Sequence, residues 1–418
     1  MNILVSLQIA LRALGANKLR AGLTMLGMII GVGAVIAMVA IGNGAQASIT
    51  TQIQSMGTNL LFITPGAQQQ GGVRTQQGTA PTLTYEDGIA IAQDPDIPIV
   101  GVAPEQTYFL QLKAGANNVN TRVVGTTPAY QDIRNFHAAQ GSFITQQQID
   151  ARSRVLVLGA NVASELFGDA DPIGQTVKIS AGSQAGINFQ VIGVMETKGG
   201  TGFGSQDEQV FVPITTMQQR LMAQRNVSNA GHNVQVLDVQ VSSQDKMDEA
   251  IAKIGDLLRQ RHRVSEDDFT IQSQTDILNT AGQITGIMTL LLGAIAGISL
   301  VVGGIGIMNI MLVSVTERTR EIGLRKAVGA KRRDILMQFI IESLVVSILG
   351  GGIGILLGSG LARIVSGINL GGSTLPALVT VDAVLLAVGV SAAIGVFFGI
   401  YPAFRAARLN PIDALRYE

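Results

Sequence analysis

The chain has 418 residues, with 29 lysines and arginines against 29 aspartates and glutamates, 47% hydrophobic residues, 50 glycines and no cysteine. A formal net charge of zero with only 14% charged residues excludes a basic nucleic-acid-binding surface and a disordered, self-repelling chain. The absence of cysteine excludes disulfides, thiolate zinc sites and cysteine nucleophiles. Low charge with abundant glycine favours a membrane protein with several spans and a soluble part.

The N-terminal residues 1–20 predict a cytoplasmic amphipathic leader helix on the membrane surface, because apolar residues recur at helical spacing at Ile3, Leu7, Ala10, Leu11 and Leu14. Residues 21–42 are uncharged and predict the first transmembrane helix. A cleaved signal peptide is the alternative for this region. The uncharged stretch is longer than the roughly 7–15 apolar residues of a signal peptide, which favours the membrane anchor.

Three later stretches also predict transmembrane helices, since each can cross about 30 Å of hydrocarbon: 283–316, 335–362 and 383–404. The first of these three is longer than a bilayer requires, so we expect its helix to continue outside the membrane as a stalk. The spacing of Ala45, Ile49, Ile53 and Met56 indicates that the helix of residues 21–42 also continues. A break at Gly42 and Gly44 is the alternative, because glycine weakens helix interiors.

The distribution of charge predicts the orientation. The leader has three basic residues and no acidic one, residues 317–334 have seven basic against three acidic residues, and the tail 405–418 has three against two. The positive-inside rule places these segments in the cytoplasm. Residues 43–282 carry 15 basic and 22 acidic residues and are expected outside, as is the short loop 363–382. We therefore expect a multi-pass protein of the plasma (inner) membrane with both termini cytoplasmic.

Residues 43–282 predict an α+β domain of short elements, between the first and second spans. Strands are predicted at 59–64, 97–102, 118–125, 155–158, 189–194, 210–213 and 234–241. Helices are predicted at 85–93, 161–167, 215–222 and 244–261, the first of them with a capping box formed by Thr84 and Asp87. Divisions near residues 121 and 227 make about 121–227 an inserted subdomain. The fold class is an α-helical membrane protein with four transmembrane helices plus a large α+β extracytoplasmic domain.

The sequence has few candidates for metal-binding, nucleotide-binding or catalytic residues. His137, His232 and His262 lack the spacing of a metal site, so we interpret them as surface histidines. The chain contains no Gly-Lys dipeptide, hence no P-loop, and we expect it to bind no cofactor and to have no enzymatic activity of its own. Glu342 is the acidic residue within the third span; we favour an interfacial carboxylate near Lys331 or Arg332 over a proton relay.

Glycines are concentrated in the spans, where small residues let helix backbones approach one another. The residues predicted to pack helices are Gly303, Gly304, Gly306, Gly350, Gly354 and Gly358. Four spans rarely enclose a substrate path alone, so we expect at least a dimer, in contact with membrane lipid.

The segment ERTREIGLRKAVGAKRR, which begins at Glu317, predicts a short cytoplasmic helix. Its apolar side is expected at Ile322, Ala327 and Val328, and Gly329 is expected to end it. Such a helix can dock into a groove of another protein. The alternative is a membrane-surface helix whose basic residues only set the topology.

Together with VVGGIGIMNIMLVSVT from Val301, LRALGANKLRAGLTMLGMIIGVGAVIAM from Leu11 and YPAFRAARLNPIDALRYE from Tyr401, this segment resembles the membrane subunits of MacB/FtsX-type ABC transporters. The similarity extends to NLLFITPG from Asn59 and DPIGQTVKI from Asp171. The resemblance implies a porter-like part at 43–120 and 228–282 beside the inserted subdomain. It also implies a homodimer, or a heterodimer with a similar permease.

The resemblance further implies a coupling helix, residues 317–334, seated on a cytoplasmic ATPase that binds ATP and magnesium. The candidate coupling residues are Glu317, Arg318, Thr319, Arg320, Glu321, Ile322, Gly323, Arg325, Lys326, Ala327, Gly329 and Ala330. Because MacB carries a fused N-terminal ATPase and this sequence starts at the leader, we expect the ATPase to be a separate subunit.

The expected function is that of a MacB-type permease exporting drugs, peptides or envelope substrates, with a periplasmic adaptor and an outer-membrane channel as possible partners. Two alternatives stay open: an FtsX-like signalling subunit that regulates cell-wall hydrolases, and a lipoprotein-releasing permease.

Overall fold

A computed structural model describes residues 18–66, 69–70, 73–74, 82–180, 186–199, 206–222, 232–367, 369–370, 373–374 and 377–415. The chain divides into two compact units. We call Met1–Ser48, Ala281–Leu370 and Thr374–Glu418 the helical unit, and Ile49–Thr280 with Gly371–Ser373 the α+β unit. The apolar pattern of the predicted leader lies outside the described residues.

Twelve helices occur in the described part of the chain. They are α1 (Lys18–Ser55), α2 (Tyr85–Gln93), α3 (Tyr130–Ile133), α4 (Gln146–Asp150), α5 (Ala160–Phe167), α6 (Ile214–Thr216, followed by a π-helix over Met217–Met222), α7 (Met247–His262), α8 (Gln274–Glu317), α9 (Thr319–Ala327), α10 (Arg332–Ser366), α11 (Val381–Arg408) and α12 (Pro411–Leu415). Short 3₁₀ turns occur at Gln206–Glu208 and Gln244–Lys246. Helices α1, α8, α10 and α11 are long and apolar enough to cross a membrane, at the places that the uncharged stretches predicted.

Two of these four helices are longer than a bilayer requires. Helix α1 has 38 residues and passes through Gly42 and Gly44 without a break, so the expected continuous helix is confirmed. Helix α8 has 44 residues, which at about 1.5 Å per residue is roughly twice the 30 Å of a hydrocarbon core.

One sheet organises the α+β unit. Its strands are β1 (Leu60–Pro65), β4 (Ile99–Ala114), β5 (Asn117–Thr126), β6 (Ala138–Gly141), β7 (Val155–Leu158), β8 (Thr176–Ser180), β9 (Ile187–Met195), β10 (Gln209–Pro213), β11 (Val236–Val241) and β12 (Phe269–Ser273). Their order is β12-β1-β11-β4-β5-β10-β7-β9-β6, and β8 pairs with β4 and β9. Two-stranded pairs also form from β2 (Gln69–Gln70) with β3 (Val73–Arg74), and from β13 (Asn369–Leu370) with β14 (Ser373–Thr374).

The long strand β4 joins the two halves of this sheet. Its first half pairs with β11, where Glu105 lies opposite Val236, and its second half pairs with β5, where Leu110 lies opposite Thr121. The predicted strand at 97–102 was therefore much too short. Pro104, Glu105 and Gln106 interrupt the apolar pattern, although all three are buried. The predicted division into porter-like part and inserted subdomain stays a prediction.

Most other predicted elements lie within two or three residues of observed ones, and the capping box of Thr84 and Asp87 is confirmed at the start of α2. The patterns missed β6, β8, β12, α3 and α4. Each has only four or five residues.

Glycine backbones bring α1 against α8 and α10. A Cβ built on Gly27 would lie 2.7 Å from Gly303 Cα, and one built on Gly358 would lie 2.9 Å from Gly33 Cα. Because carbon atoms in van der Waals contact are about 3.5–4.0 Å apart, neither position leaves space for a side chain. Helices in membranes associate through such close approaches of small residues.

The remaining predicted packing glycines do not all behave alike. Gly350 and Gly354 also face α1, and Gly304 faces Phe398 of α11. At Gly306, by contrast, no atom lies within 4 Å of the place of a Cβ, so the prediction that it packs helices needs correction within the described chain. Gly306 is two residues after Gly304, which corresponds to a rotation of about 200° around the helix axis. Gly306 therefore faces the opposite side of α8.

The prediction of three surface histidines is wrong for His262. The side chains of His137 and His232 are 50% and 66% exposed, but that of His262 is only 10% exposed. Its Nδ1 lies 2.7 Å from Asp268 Oδ1 and its Nε2 lies 3.2 Å from Asp87 Oδ2. The hydrogen bond to Asp87 and, against the effect of burial, that to Asp268 raise the pKa of His262 to about 9. His262 therefore connects the end of α7 to the start of α2.

We expect Gly358→Val to lower the thermal unfolding midpoint of the purified protein, because the added side chain would overlap the Gly33 backbone of α1. Overpacking of this kind costs about 1–3 kcal/mol. Gly360→Val is the matched control, since no atom lies within 4 Å of its Cβ position. Circular dichroism measures the unfolding midpoints. Equal midpoints for the two variants would contradict the assigned contact.

We expect His262→Gln to remove a pH-dependent part of the stability. Because the folded pKa of about 9 exceeds the usual 6.5, protonated His262 stabilises the fold fully below pH 6.5. This contribution, on the order of 2–3 kcal/mol, decreases above pH 6.5 and is lost above pH 9. Unfolding midpoints at pH 6 and pH 10 test this, with His137→Gln as the exposed control. An unchanged difference between the two pH values in His262→Gln would refute it.

Candidate functional site

The segment between α8 and α10, residues 317–334, contains a shorter helix than the sequence predicted. Glu317 is the last residue of α8, and α9 covers only Thr319–Ala327. Gly329 follows with a φ of +107°, a conformation that favours glycine, so its expected role in ending the helix is confirmed. The next helix starts at Arg332, where the Asp334 carboxylate accepts a hydrogen bond from the Lys331 backbone N–H. We call residues 317–334 the connecting segment.

The inward face of α9 differs from the predicted one. Ile322 is 2% exposed, and a Cβ on Gly323 would lie 2.7 Å from the Ala414 Cβ of α12. Ala327, by contrast, is exposed, and Val328 is 83% exposed. The predicted apolar side is therefore wrong beyond Ile322. The reason is that α12 covers the Ile322 face, an arrangement that the local sequence does not indicate.

Two exposed apolar side chains consequently remain on the connecting segment. Leu324 is 58% exposed, and Val328 lies one helical turn later. Residues four positions apart lie on the same side of a helix, so the two form a small apolar patch. In the described structure no other part of this chain buries it.

Lys326 ties α9 to the end of α11. Its Nζ donates hydrogen bonds to the backbone oxygens of Ala407, at 2.6 Å, and Leu409, at 2.7 Å. The last carbonyls of a helix lack intrahelical partners, and a cation there is favourable. Burial and then the charge of Arg332 lower the pKa of Lys326. No sequence signal predicts this contact, because the acceptors are backbone atoms more than 80 positions away.

Arg325 and Arg318 tie the connecting segment to α10. Arg325 donates to Gln338 Oε1 at 2.7 Å and to Glu321 Oε1 at 2.5 Å. Arg318 Nη1 lies 3.4 Å from Glu342 Oε1. The expected partners of Glu342 were Lys331 or Arg332, so that expectation is corrected: Arg318 is the cation that reaches the buried carboxylate.

The other predicted coupling residues occupy three kinds of position. Thr319 is buried, and its hydroxyl donates to the backbone oxygens of Val315 and Thr316. Ala330 is half-buried. The exposed ones are Glu317, Arg320, Glu321, Ala327 and Gly329. The exposed residues of this set thus form one surface, and the others attach the connecting segment to the neighbouring helices. Their coupling role stays a prediction.

The sequence matches two family models. Residues 21–257 match the MacB-like periplasmic core domain, and residues 293–411 match the FtsX-like permease C-terminal region. The first match alone covers more than half of the chain. The chain belongs to the MacB/FtsX-type permease family.

Two curated members of this family are similar over almost the whole chain. The macrolide export ATP-binding/permease protein MacB of Bdellovibrio bacteriovorus is 42% identical over 411 residues, which are 97% of this chain and 61% of that protein. The protein of the same description from Azoarcus sp. is 44% identical over 410 residues, 98% of this chain and 59% of that protein. The chain thus spans about three fifths of the length of these relatives.

Among solved structures, the periplasmic region of MacB from Actinobacillus actinomycetemcomitans is 22% identical, with a TM-score of 0.44. The comparison covers 56% of this chain and 97% of that chain. In this MacB/FtsX-type chain, the FtsX-like match contains α9, α10, α11 and the first residue of α12, so every predicted coupling residue lies inside it.

We expect Lys326→Met to loosen α9 and α12. Methionine keeps the length of the side chain, but the carbonyls of Ala407 and Leu409 lose a charged donor, and such hydrogen bonds contribute about 1.5–3 kcal/mol. Hydrogen–deuterium exchange of residues 319–327 and 411–415 should become at least about tenfold faster. Arg320→Met, an exposed change on the same helix, should leave the exchange unchanged. Identical exchange in both variants would contradict the role of Lys326.

Proposed function

We propose that this chain is the permease part of a MacB-type ABC transporter, in which the connecting segment couples ATP hydrolysis to movement of the α+β unit for export. Family membership supports this proposal. The observation that carries it is the apolar patch of Leu324 and Val328, held by Lys326 and Arg325. A small exposed apolar patch on a firmly attached helix suits insertion into a groove of another protein.

The proposed partner is a cytoplasmic ATPase. The chain contains no Gly-Lys dipeptide and so no P-loop, which supports binding of ATP and magnesium to an ATPase outside these 418 residues. Without a nucleotide-binding motif, this chain would contribute attachment and movement instead of catalysis.

The proposed orientation follows the charges. With α1, α8, α10 and α11 crossing the plasma (inner) membrane, the connecting segment and both termini would be cytoplasmic, because the connecting segment has seven basic against three acidic residues. Residues 43–282, with their acidic excess, would then lie outside the cytoplasm. This arrangement puts the ATPase and the α+β unit on opposite sides of the membrane, so coupling has to be mechanical.

The relatives are described as macrolide exporters. The proposed substrates are therefore macrolides, together with other drugs, peptides or envelope molecules. Partners in addition to the ATPase would be a second copy of the chain, or a similar permease, and a periplasmic adaptor with an outer-membrane channel. The match of residues 21–257 to a MacB-like core favours export over signalling of the FtsX type.

We expect Leu324→Asp to prevent assembly with the ATPase. A charge in the centre of an apolar contact has to be buried without a partner, so affinity should fall about 100-fold or more. The measurements are co-purification with the ATPase and the ATP turnover of the complex. Phe109→Asp, which changes an apolar side chain that is 59% exposed in the α+β unit, is the control.

Assembly and ATP turnover of Leu324→Asp at the level of the Phe109→Asp control would refute the coupling assignment. Leu324 is a sharper test than Arg325, because Arg325 has partners inside the chain and its replacement would also disturb the attachment of α9 to α10.

A further inference from the structure

Helices α1 and α8 run side by side in opposite directions. A Cβ built on Gly31 would lie 2.7 Å from Leu300 Cδ2, and one built on Gly42 would lie 3.3 Å from Thr289 Oγ1. Eleven residues forward on α1 thus correspond to eleven residues back on α8. Contacts of this kind hold two helices close together. Hydrogen bonds are directional, so they fix the axial position of one helix against the other more sharply.

The same two helices continue into neighbouring strands of the α+β unit. Helix α1 ends at Ser55, shortly before β1 begins at Leu60, and β12 ends at Ser273, directly before α8 begins. Strands β1 and β12 pair antiparallel, with Leu61 opposite Ser273, at one end of the strand order of the sheet. The strand by which the chain enters the sheet and the strand by which it leaves are therefore hydrogen-bonded to each other.

Gln274, the first residue of α8, ties the two helix ends together. It is 9% exposed, and its Nε2 donates hydrogen bonds to the backbone oxygens of Ile53, at 2.6 Å, and Gly57, at 3.0 Å. A side-chain amide has two N–H donors, and the geometry uses both of them. A shift of α8 along α1 by one helical turn, about 5.4 Å, would break both bonds.

The groups on both sides of this tie are themselves held in place. Gly57 has a φ of +116°, and a Cβ built on it would overlap the backbone oxygen of Ile133, so the turn after α1 requires glycine. On the other side, the Ser273 N–H donates to Asp276 Oδ2 at 2.9 Å, and the Asp276 N–H donates to Ser273 Oγ at 3.0 Å. This reciprocal cap fixes the first turn of α8. Gln274 therefore joins a fixed turn to a capped helix start.

We propose that Gln274 is a positioning residue for export, which holds α1 and α8 in register where they enter the α+β unit, so that their movement reaches β1 and β12 together. The inference rests on the proposed function and deepens it, because it names a residue through which the movement passes. Ile53 and Gly57 contribute backbone oxygens to the tie, so the side chain that can be tested is that of Gln274. Without its two donors, each helix can shift without the other.

The tie itself is tested on the full chain in lipid nanodiscs by hydrogen–deuterium exchange. Gln274→Met keeps the length of the side chain and removes both donors, and Gln274→Glu keeps its shape but offers only acceptors at neutral pH. Exchange of residues 50–57 should become at least about tenfold faster in both variants. Gln272→Met, the same change at an exposed glutamine of β12, should leave this exchange unchanged.

The positioning role is tested on the complex with the ATPase, without nucleotide and with ATP plus vanadate. In the unmodified chain, we expect the nucleotide to change the exchange of α9 and also of β1 and β12. In Gln274→Met, the response of α9 should remain and that of the two strands should be lost. Leu156→Ala is the control for stability, because it leaves a cavity in β7, five strands away from β1. It should lower the unfolding midpoint and keep the response of the strands.

Unchanged exchange of residues 50–57 in both Gln274 variants would overturn the tie. The positioning role would be overturned by a response of β1 and β12 that is absent from the unmodified complex, persists in Gln274→Met, or is also lost in Leu156→Ala. A nucleotide response missing from α9 in the unmodified complex would instead refute the proposed function. The two failures are distinguishable, because the exchange of residues 50–57 is measured without ATPase or nucleotide.

Discussion

The close approach of α1 to α8 and α10 at glycine backbones is the constraint on which the helical unit depends. Lipid offers apolar side chains an environment as favourable as a protein core, so helices in a membrane associate through close packing. Gly27 against Gly303 and Gly33 against Gly358 supply that packing for α1. Helices α10 and α11 use a related device, with Ser343 and Ser347 of α10 facing Gly399 and Gly395 of α11. These contacts, together with that of Gly304 with Phe398 of α11, connect the four helices into one packed group.

Contacts with these helices hold the connecting segment in place. Arg325 attaches α9 to α10, Lys326 attaches it to the end of α11, and Ile322 of α9 is buried. A force on the exposed side chains Leu324 and Val328 would therefore reach two spans at once. An isolated surface helix whose basic residues only set the topology would not require such attachments. In the proposed function, these attachments would transmit the docking of the ATPase to α10 and α11.

Local and compositional signals predicted the long and the strongly patterned elements. The four spans followed from the absence of charge, and the ends of α2 and α9 followed from the capping box at Thr84 and from Gly329. Contacts between distant residues left no such signal. Lys326 binds backbone oxygens that every residue type offers, and His262 bridges aspartates on α2 and before β12. The length of β4 was missed for the same reason, since Glu105 is buried only because Arg134 neutralises it.

Arg134 also joins two parts of the α+β unit. Its Nε lies 2.7 Å from Asp238 Oδ2 in β11, and its Nη2 lies 3.2 Å from Glu105 Oε1 in β4. Arg134 itself belongs to the predicted inserted subdomain, so this buried group fastens the two predicted parts together. Breaking a buried ion pair costs about 3–5 kcal/mol, because a charge is left uncompensated. Arg134 therefore resists separation of the two predicted parts of the α+β unit.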